Sequence, residues 1–188
     1  MLEWIQELDV SIILFFNQTL KSEFLDFLFP YFTNLHKIFW IKFIIFPFLA
    51  VWWLHKTRIS AIRIFLALIL TAGVSDLIGY RILKPSFNRV RPNNNPNIQS
   101  QLRLLRSPGS PSFPSNHSMN SFAVGTVAVF YYPYLAWIVY PLAAIIAMFR
   151  MYAGVHYFTD ILGGAIFGIL LGYFLFNFVF KKISLFKK

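Results

Sequence analysis

The sequence predicts an all-α integral membrane helical bundle, with about five transmembrane helices and amphipathic, interfacial helices at its N-terminus. Three observations predict it. Of 188 residues, 57% are hydrophobic and only 13% charged, the balance of a chain whose solvent is largely lipid. Apolar runs near the ~20 residues that a bilayer requires recur along the chain. The aromatic residues Trp40, Trp52, Trp53, Tyr131, Tyr132 and Tyr134 fall near the ends of those runs, where interfacial rings anchor a span.

The chain reads as one domain, 1–188: amphipathic helices over 1–36, a spanning core over 37–180 and, inside that core, a site-forming loop over 84–115. In residues 5–20 the apolar positions Ile5, Leu8, Ile12, Phe16 and Leu20 recur at helical spacing, with acids on the other side. A short apolar run comes next, at 24–32. Asn17, Lys21, Glu23 and Asp26 interrupt both runs, which predicts helices lying in the interface. The alternative is a first span folded from 7–33, for six spans. The five spans are 37–54, 59–83, 116–132, 135–152 and 158–180. Pro47 kinks the first, and Lys42 snorkels from it. In the last, Gly164, Gly168 and Gly172 form a small-residue stripe suited to close helix packing. The loop carries Asn93-Asn94-Asn95-Pro96 and Ser107-Pro108-Gly109-Ser110-Pro111, both turn compositions. A short surface helix is expected over 98–106, with Leu102, Leu104 and Leu105 on the membrane.

The absence of cysteine excludes disulfides, thiolate chemistry and cysteine-ligated metal. The start, Met-Leu-Glu-Trp, lacks a basic region, so the first span is expected to act as the insertion signal. The net charge of +10 does not point to nucleic acid, because the cations are scattered between apolar spans and do not gather on one soluble face. Residues 1–37 hold five acids against two lysines, whereas the remainder holds only Asp76 and Asp160 against fifteen Lys and Arg. So few carboxylates beside a basic site do not suit catalytic metal ions. Neither a metal nor another cofactor is expected.

Alternating helices bring the chemistry to one membrane face. Lys84 and Arg91 come after the second span, and His117 opens the third. Arg150 and His156 surround the end of the fourth, and Asp160 opens the fifth. His156 and Asp160 stand four residues apart. On a helix that makes them neighbours, so the carboxylate accepts from Nδ1–H and leaves Nε2 free to attack phosphorus; taken alone, the pair is equally a structural helix contact. His117 is a candidate acid for a leaving oxygen and then a base for water, or an interfacial histidine. Ser115 is a candidate N-cap at a helix start that favours an anion. Lys84, Arg91 and Arg150 suit a phosphate and the charge that develops on it. Their other reading is headgroup anchoring, which suffices for Arg81, Arg89, Arg103 and Arg106. Asp76, an ionisable group inside a span, is read as a partner of Arg81 or a polar helix contact.

Three blocks, in order over residues 84–160, resemble the type-2 phosphatidic acid phosphatase superfamily of membrane lipid phosphatases and soluble vanadium haloperoxidases. Lys84 through Arg91-Pro92 matches lysine, six residues, arginine-proline. Pro114, Ser115 and His117 match proline-serine-glycine-histidine, with Asn116 in place of glycine. Arg150, His156 and Asp160 match serine-arginine, five residues, histidine, three residues, aspartate, with Phe149 in place of serine. The resemblance implies that His156 is the nucleophile, His117 the acid/base and Asp160 the orienting carboxylate. It makes Lys84, Arg91, Ser115 and Arg150 phosphate ligands, and Asn116 one through its backbone amide.

The function expected from residues and resemblance together is a metal-independent lipid phosphate phosphatase working through a phosphohistidine. The family's substrates are polyprenyl diphosphate, phosphatidylglycerol phosphate, phosphatidate and the 1-phosphate of lipid A. The partners expected are that lipid and the bilayer, with no nucleic acid and no obligate protein partner. A lipid phosphotransferase uses the same residues, and a non-enzymatic transporter or scaffold uses the cations as anchors. A soluble haloperoxidase is excluded by composition. Seven cations lie in short segments opposite the motif face and six on it; without Lys84 and Arg91 the comparison is seven to four. The positive-inside rule then turns the site away from the cytoplasm, as in a bacterial inner-membrane enzyme facing outward.

Overall fold

The computed structural model describes residues 3–34, 51, 59–183 and 186. The expected span at 37–54, with Lys42 and Pro47, lies outside them but for Val51. Among the described residues the chain is helical, without a strand, as the composition predicts. The described helices are α1 (Glu3–Leu14, running on through a π turn, Phe15–Thr19) and α2 (Glu23–Asn34). They continue with α3 (Ile59–Ile78, extended by a π turn, Gly79–Leu83, and a last turn, Lys84–Phe87), α4 (Asn116–Tyr131), α5 (Ala136–Tyr152) and α6 (Phe158–Phe174, ending in a π turn, Leu175–Phe180).

Among the described residues, three stretches are long and apolar enough to cross a membrane: Ala61–Phe87, Pro133–Tyr152 and Phe158–Phe180. They coincide with the second, fourth and fifth expected spans. Their outward surface is hydrocarbon: Phe65, Ile69, Leu70, Ile138, Ile166 and Leu170 are all exposed, an arrangement that only a lipid solvent tolerates over such an area. The third expected span, α4, is shorter and richer in polar side chains. It occupies the middle of the bundle, packed mainly against α6 and also against α3 and α5. Its hydroxyls are satisfied internally: Ser118 Oγ donates to Ile161 O at 2.8 Å and Thr126 Oγ1 to Phe122 O at 2.8 Å.

The α4–α6 contact depends on the glycine stripe, as its spacing predicts. A Cβ on Gly164 would stand 2.7 Å from Ser115 O, and one on Gly172 2.6 Å from Ala123 O. Between them, a Cβ on Gly168 would collide with Met119 O. This close approach sets the starts of α4 and α6 level, and Ser115 N–H donates to Asp160 O at 3.0 Å. The opposite end of the bundle is closed by an apolar cluster that includes Ile64, Val127, Tyr131, Phe176 and Phe180.

Two expectations are corrected. In α1 the inward stripe is Asp9, Ile13 and Asn17, each 0% exposed, while Trp4, Leu8 and Phe15 face outward. The acids were expected opposite the apolar positions; one of them, Asp9, is instead fully buried within the protein. The reason is that apolar solvent inverts the usual preference, so a polar group is best placed where the protein itself supplies hydrogen bonds. Residues 98–106 do not form a helix beyond the 3₁₀ turn Gln99–Gln101. Asn17 there captures the extended chain: its side-chain oxygen accepts from Arg103 N at 2.8 Å, and its amide donates to Arg103 O at 2.9 Å and Tyr152 O at 2.8 Å. Leu102 accordingly packs in the core with Ile13 and Met151, not on the membrane.

Candidate active site

The sequence places its motifs at four helix ends, and the structure brings those ends together. The π turn Gly79–Leu83 inserts a residue and rotates the rest of the helix by about 100°, so that Lys84 points inward and is 2% exposed. Its ammonium donates to Pro111 O at 2.6 Å and Pro114 O at 3.1 Å. Lys84 thereby fixes the segment that leads into Ser115 and His117. Asn88, at φ 41°, ends the helix in the left-handed region, which asparagine tolerates. The chain turns back there, and Arg89 and Arg91 enter the protein.

Arg91 is held on four acceptors. Nε donates to Ser110 O at 2.5 Å, Nη2 to Ser110 Oγ at 3.1 Å, and Nη1 to both Val155 O at 2.9 Å and His156 Nε2 at 3.0 Å. A guanidinium only donates, so Nε2 of His156 carries the lone pair and Nδ1 the proton. Nδ1 lies 3.4 Å from Asp160 Oδ2. The tautomer is the one a nucleophilic Nε2 requires.

The route to that geometry differs from the expected helix face. His156 precedes α6, and Gly154, at φ 74°, lets the chain reverse after α5. Asp160 is the third residue of α6 and accepts from Tyr157 N at 2.9 Å, so one carboxylate caps the helix and meets the histidine. Burial holds the His156 imidazole well below its ordinary pKa of 6.5, and Arg91, Arg150, Lys84 and His117 lower it further.

Arg150, near the end of α5, is 4% exposed, yet its Nε and Nη1 meet no acceptor among the described residues. Arg91 and Arg106 lie within its field. Ser115 is 0% exposed, and its Oγ likewise meets no partner among the described residues. It stands at the N-cap position of α4 without making the expected cap hydrogen bond. His117 is partly exposed on the first turn of that helix.

The two departures from the motifs are absorbed away from these groups. Asn116 Nδ2 donates to Asp76 Oδ1 at 3.0 Å, and its side chain sits where a Cβ on Gly79 would come within 3.0 Å. Asp76 is therefore a polar helix contact, one of its two expected roles. The Phe149 ring packs beside Phe29 of α2, centroids 6.3 Å apart.

Arg89 and Arg103 were expected to anchor headgroups, and both expectations are overturned. Arg103 Nη1 holds both oxygens of Asp26, at 2.8 and 2.7 Å. Arg89 Nη1 donates to Asp160 Oδ1 at 2.6 Å, its Nη2 donates to Asp9 Oδ2 at 2.6 Å, and its guanidinium stacks on the Tyr157 ring at 4.2 Å. Arg89 lies among the six unspecified positions of the first motif, two before Arg91, and an extended pair of that spacing was a usable signal. Asp9 offered none.

Fold and site together define a membrane protein with a histidine–aspartate pair set among buried cations. Residues 60–184 match the model of the PAP2 superfamily. The chain is an integral membrane protein and belongs to that superfamily, the one its three motifs resemble. It is similar to a protein named lipid A 4'-phosphatase from Bacteroides thetaiotaomicron, 29% identical over 98% of this chain and 82% of that one. A lipid A 4'-phosphatase of Porphyromonas gingivalis is 28% identical over 69% of the chain, which spans only 57% of that relative. Among solved structures, a transmembrane PAP2-type phosphatidylglycerolphosphate phosphatase from Bacillus subtilis superposes with a TM-score of 0.68 at 27% identity, over 96% of this chain and 88% of that one.

Proposed function

We propose that the protein is a lipid phosphatase that removes a phosphate from a membrane lipid headgroup through a phosphohistidine, without metal. The buried guanidinium of Arg150, whose Nε and Nη1 meet no acceptor among the described residues, carries this reading. An uncompensated buried cation is costly, and with Ser115 Oγ and the first amides of α4 it makes a ready cradle for a phosphate. An apolar cavity of about 510 Å³, lined among others by Phe16, Phe122, Met148, Met151, Ile161 and Leu162, runs beside α5 and α6 from the level of Arg150 and Asp160 and suits a lipid tail.

As the phosphate binds, Arg91 shifts a donor from His156 Nε2 to a phosphate oxygen and frees the lone pair. Nε2 attacks phosphorus, the bond to the lipid oxygen breaks, and His117 gives that oxygen its proton. Asp160 holds Nδ1–H and stabilises the charged imidazole of the intermediate. Water then loses a proton to His117 and attacks phosphorus. The N–P bond breaks and inorganic phosphate leaves. Lys84 fixes the loop and adds positive charge at short range.

The names of the relatives support testing lipid A phosphates and phosphatidylglycerol phosphate first, ahead of phosphatidate and polyprenyl diphosphate. The charge balance of the loops supports an outward-facing site in a bacterial inner membrane. The test is phosphate release by purified protein from a panel of these lipids, with and without EDTA, beside His156→Ala. The wild type is expected to turn over in EDTA and to form an acid-labile phosphoprotein on quenching, with the variant many orders of magnitude slower. Magnesium-dependent rescue after chelation, or wild-type-like turnover by folded His156→Ala, would refute the mechanism. Phosphate passed to an alcohol in place of water would identify a phosphotransferase.

A further inference from the structure

We infer that Asp9, on the N-terminal helix and outside all three motifs, is a positioning residue for the catalytic pair, acting through Arg89 and Thr159. The inference rests on the phosphohistidine reading above. Asp9 is 0% exposed. Its Oδ1 accepts from Thr159 N at 2.9 Å, and its Oδ2 accepts from Thr159 Oγ1 at 2.6 Å and Arg89 Nη2 at 2.6 Å. Every bond it makes leads to a residue that touches or precedes Asp160. Thr159 N–H is one of the orphan donors of the first turn of α6, so α1 supplies that helix with a cap from another part of the chain.

The division of Arg89's donors carries the effect to the site. Nη2 is held by Asp9, while Nη1 is shared between Asp160 Oδ1 at 2.6 Å and Thr159 Oγ1 at 2.7 Å. Arg89 therefore meets Asp160 at Oδ1 through a single nitrogen, Nη1. The other, Oδ2, remains for His156 Nδ1 and Tyr157 N. Without the charge of Asp9, the planar fork of Arg89 is free to take Asp160 in the two-oxygen geometry that guanidinium and carboxylate prefer. That draws Oδ2 away from His156 and loosens the orientation of Nε2. The phosphate cradle of Arg150, Ser115 and the start of α4 does not include Asp9, so substrate binding is untouched.

Asp9→Asn and Asp9→Ala, purified in detergent, test this. A displacement of about 1 Å at a reacting group can lower a rate on the order of 100-fold. The expected result is a kcat reduced by roughly 10- to 100-fold with KM unchanged, and recovery of much of it in Asp9→Glu. In an Asp160→Asn background, where there is no carboxylate left to orient, Asp9→Asn should add less than about twofold. Losses that multiply fully in the double variant, a KM that rises with kcat unchanged, or wild-type kcat in both single variants would overturn the inference. So would loss of the fold in both, which makes Asp9 a stabilising residue only. If the wild type itself releases no phosphate, the phosphohistidine reading fails and takes this one with it; an active wild type with an equally active Asp9→Asn sinks this one alone.

Discussion

A histidine that attacks phosphorus must have an unprotonated Nε2, and at His156 burial, followed by the cations Arg91 and Arg150, keeps it so below the usual titration range. The sign is that of a base with a depressed pKa: the neutral form persists as pH falls through 6.5 and is lost only well below it. Arg150→Met should lower kcat/KM by about 100- to 1,000-fold, as loss of one positioned donor does. It should also move the acid limb of the residual activity upward. The substrate's own titration is common to both proteins, so a limb that stays in place would mean that Arg150 does not act on His156. The convergence of Arg150 and His156 was legible from the order of the spans. The partners of Arg89 were not, because a cation among six on one membrane face reads as an anchor until the acid that claims it is known. Ser115 was legible as a helix start, yet its hydroxyl leaves the cap position unbonded, which no local pattern announces.

Between elements, the contact of α4 with α6 decides where the site's two histidine-bearing ends stand. Gly168→Leu should force the helices apart at Met119 and Ala123, at a cost of about 1–3 kcal/mol or more. A lowered Tm together with weakened phosphate release is expected, and a Tm equal to that of the wild type would show that α6 has room on that side. A close helix contact along α6 was readable from the three glycines; its partner, α4, was not. The facing of α1 was not: a period of 3.6 is the same whichever side is turned inward, and its apolar positions suggested the wrong one. Leu8 faces outward and Asp9 inward, since in lipid the buried polar residue is the one with partners to find. The failed helix over 98–106 has a similar cause, as its backbone partners come from Asn17, far away in the chain.

At the scale of the molecule, all the site's elements lie at one end of the bundle and the cluster of Tyr131, Phe176 and Phe180 at the other. A reporter fused after Lys188 should be cytoplasmic. In this cysteine-free chain, a cysteine at the exposed Asn94 should react with an impermeant thiol reagent in intact spheroplasts. Shielding of Asn94→Cys with an external tail would invert the enzyme and assign it a lipid of the cytoplasmic leaflet. The class of fold was legible in composition, because lipid leaves a chain few other choices; which helices touch was not. Asp9 meets Arg89 across 80 positions and Thr159 across 150. An order of assembly is written in these separations. The carboxylate is made first, its guanidinium 80 positions later, and the threonine that completes its shell 150 positions later. A nascent chain therefore carries this acid unsatisfied until residue 159 has been made, and α6 both brings the histidine's carboxylate and supplies the partner that α1 awaits.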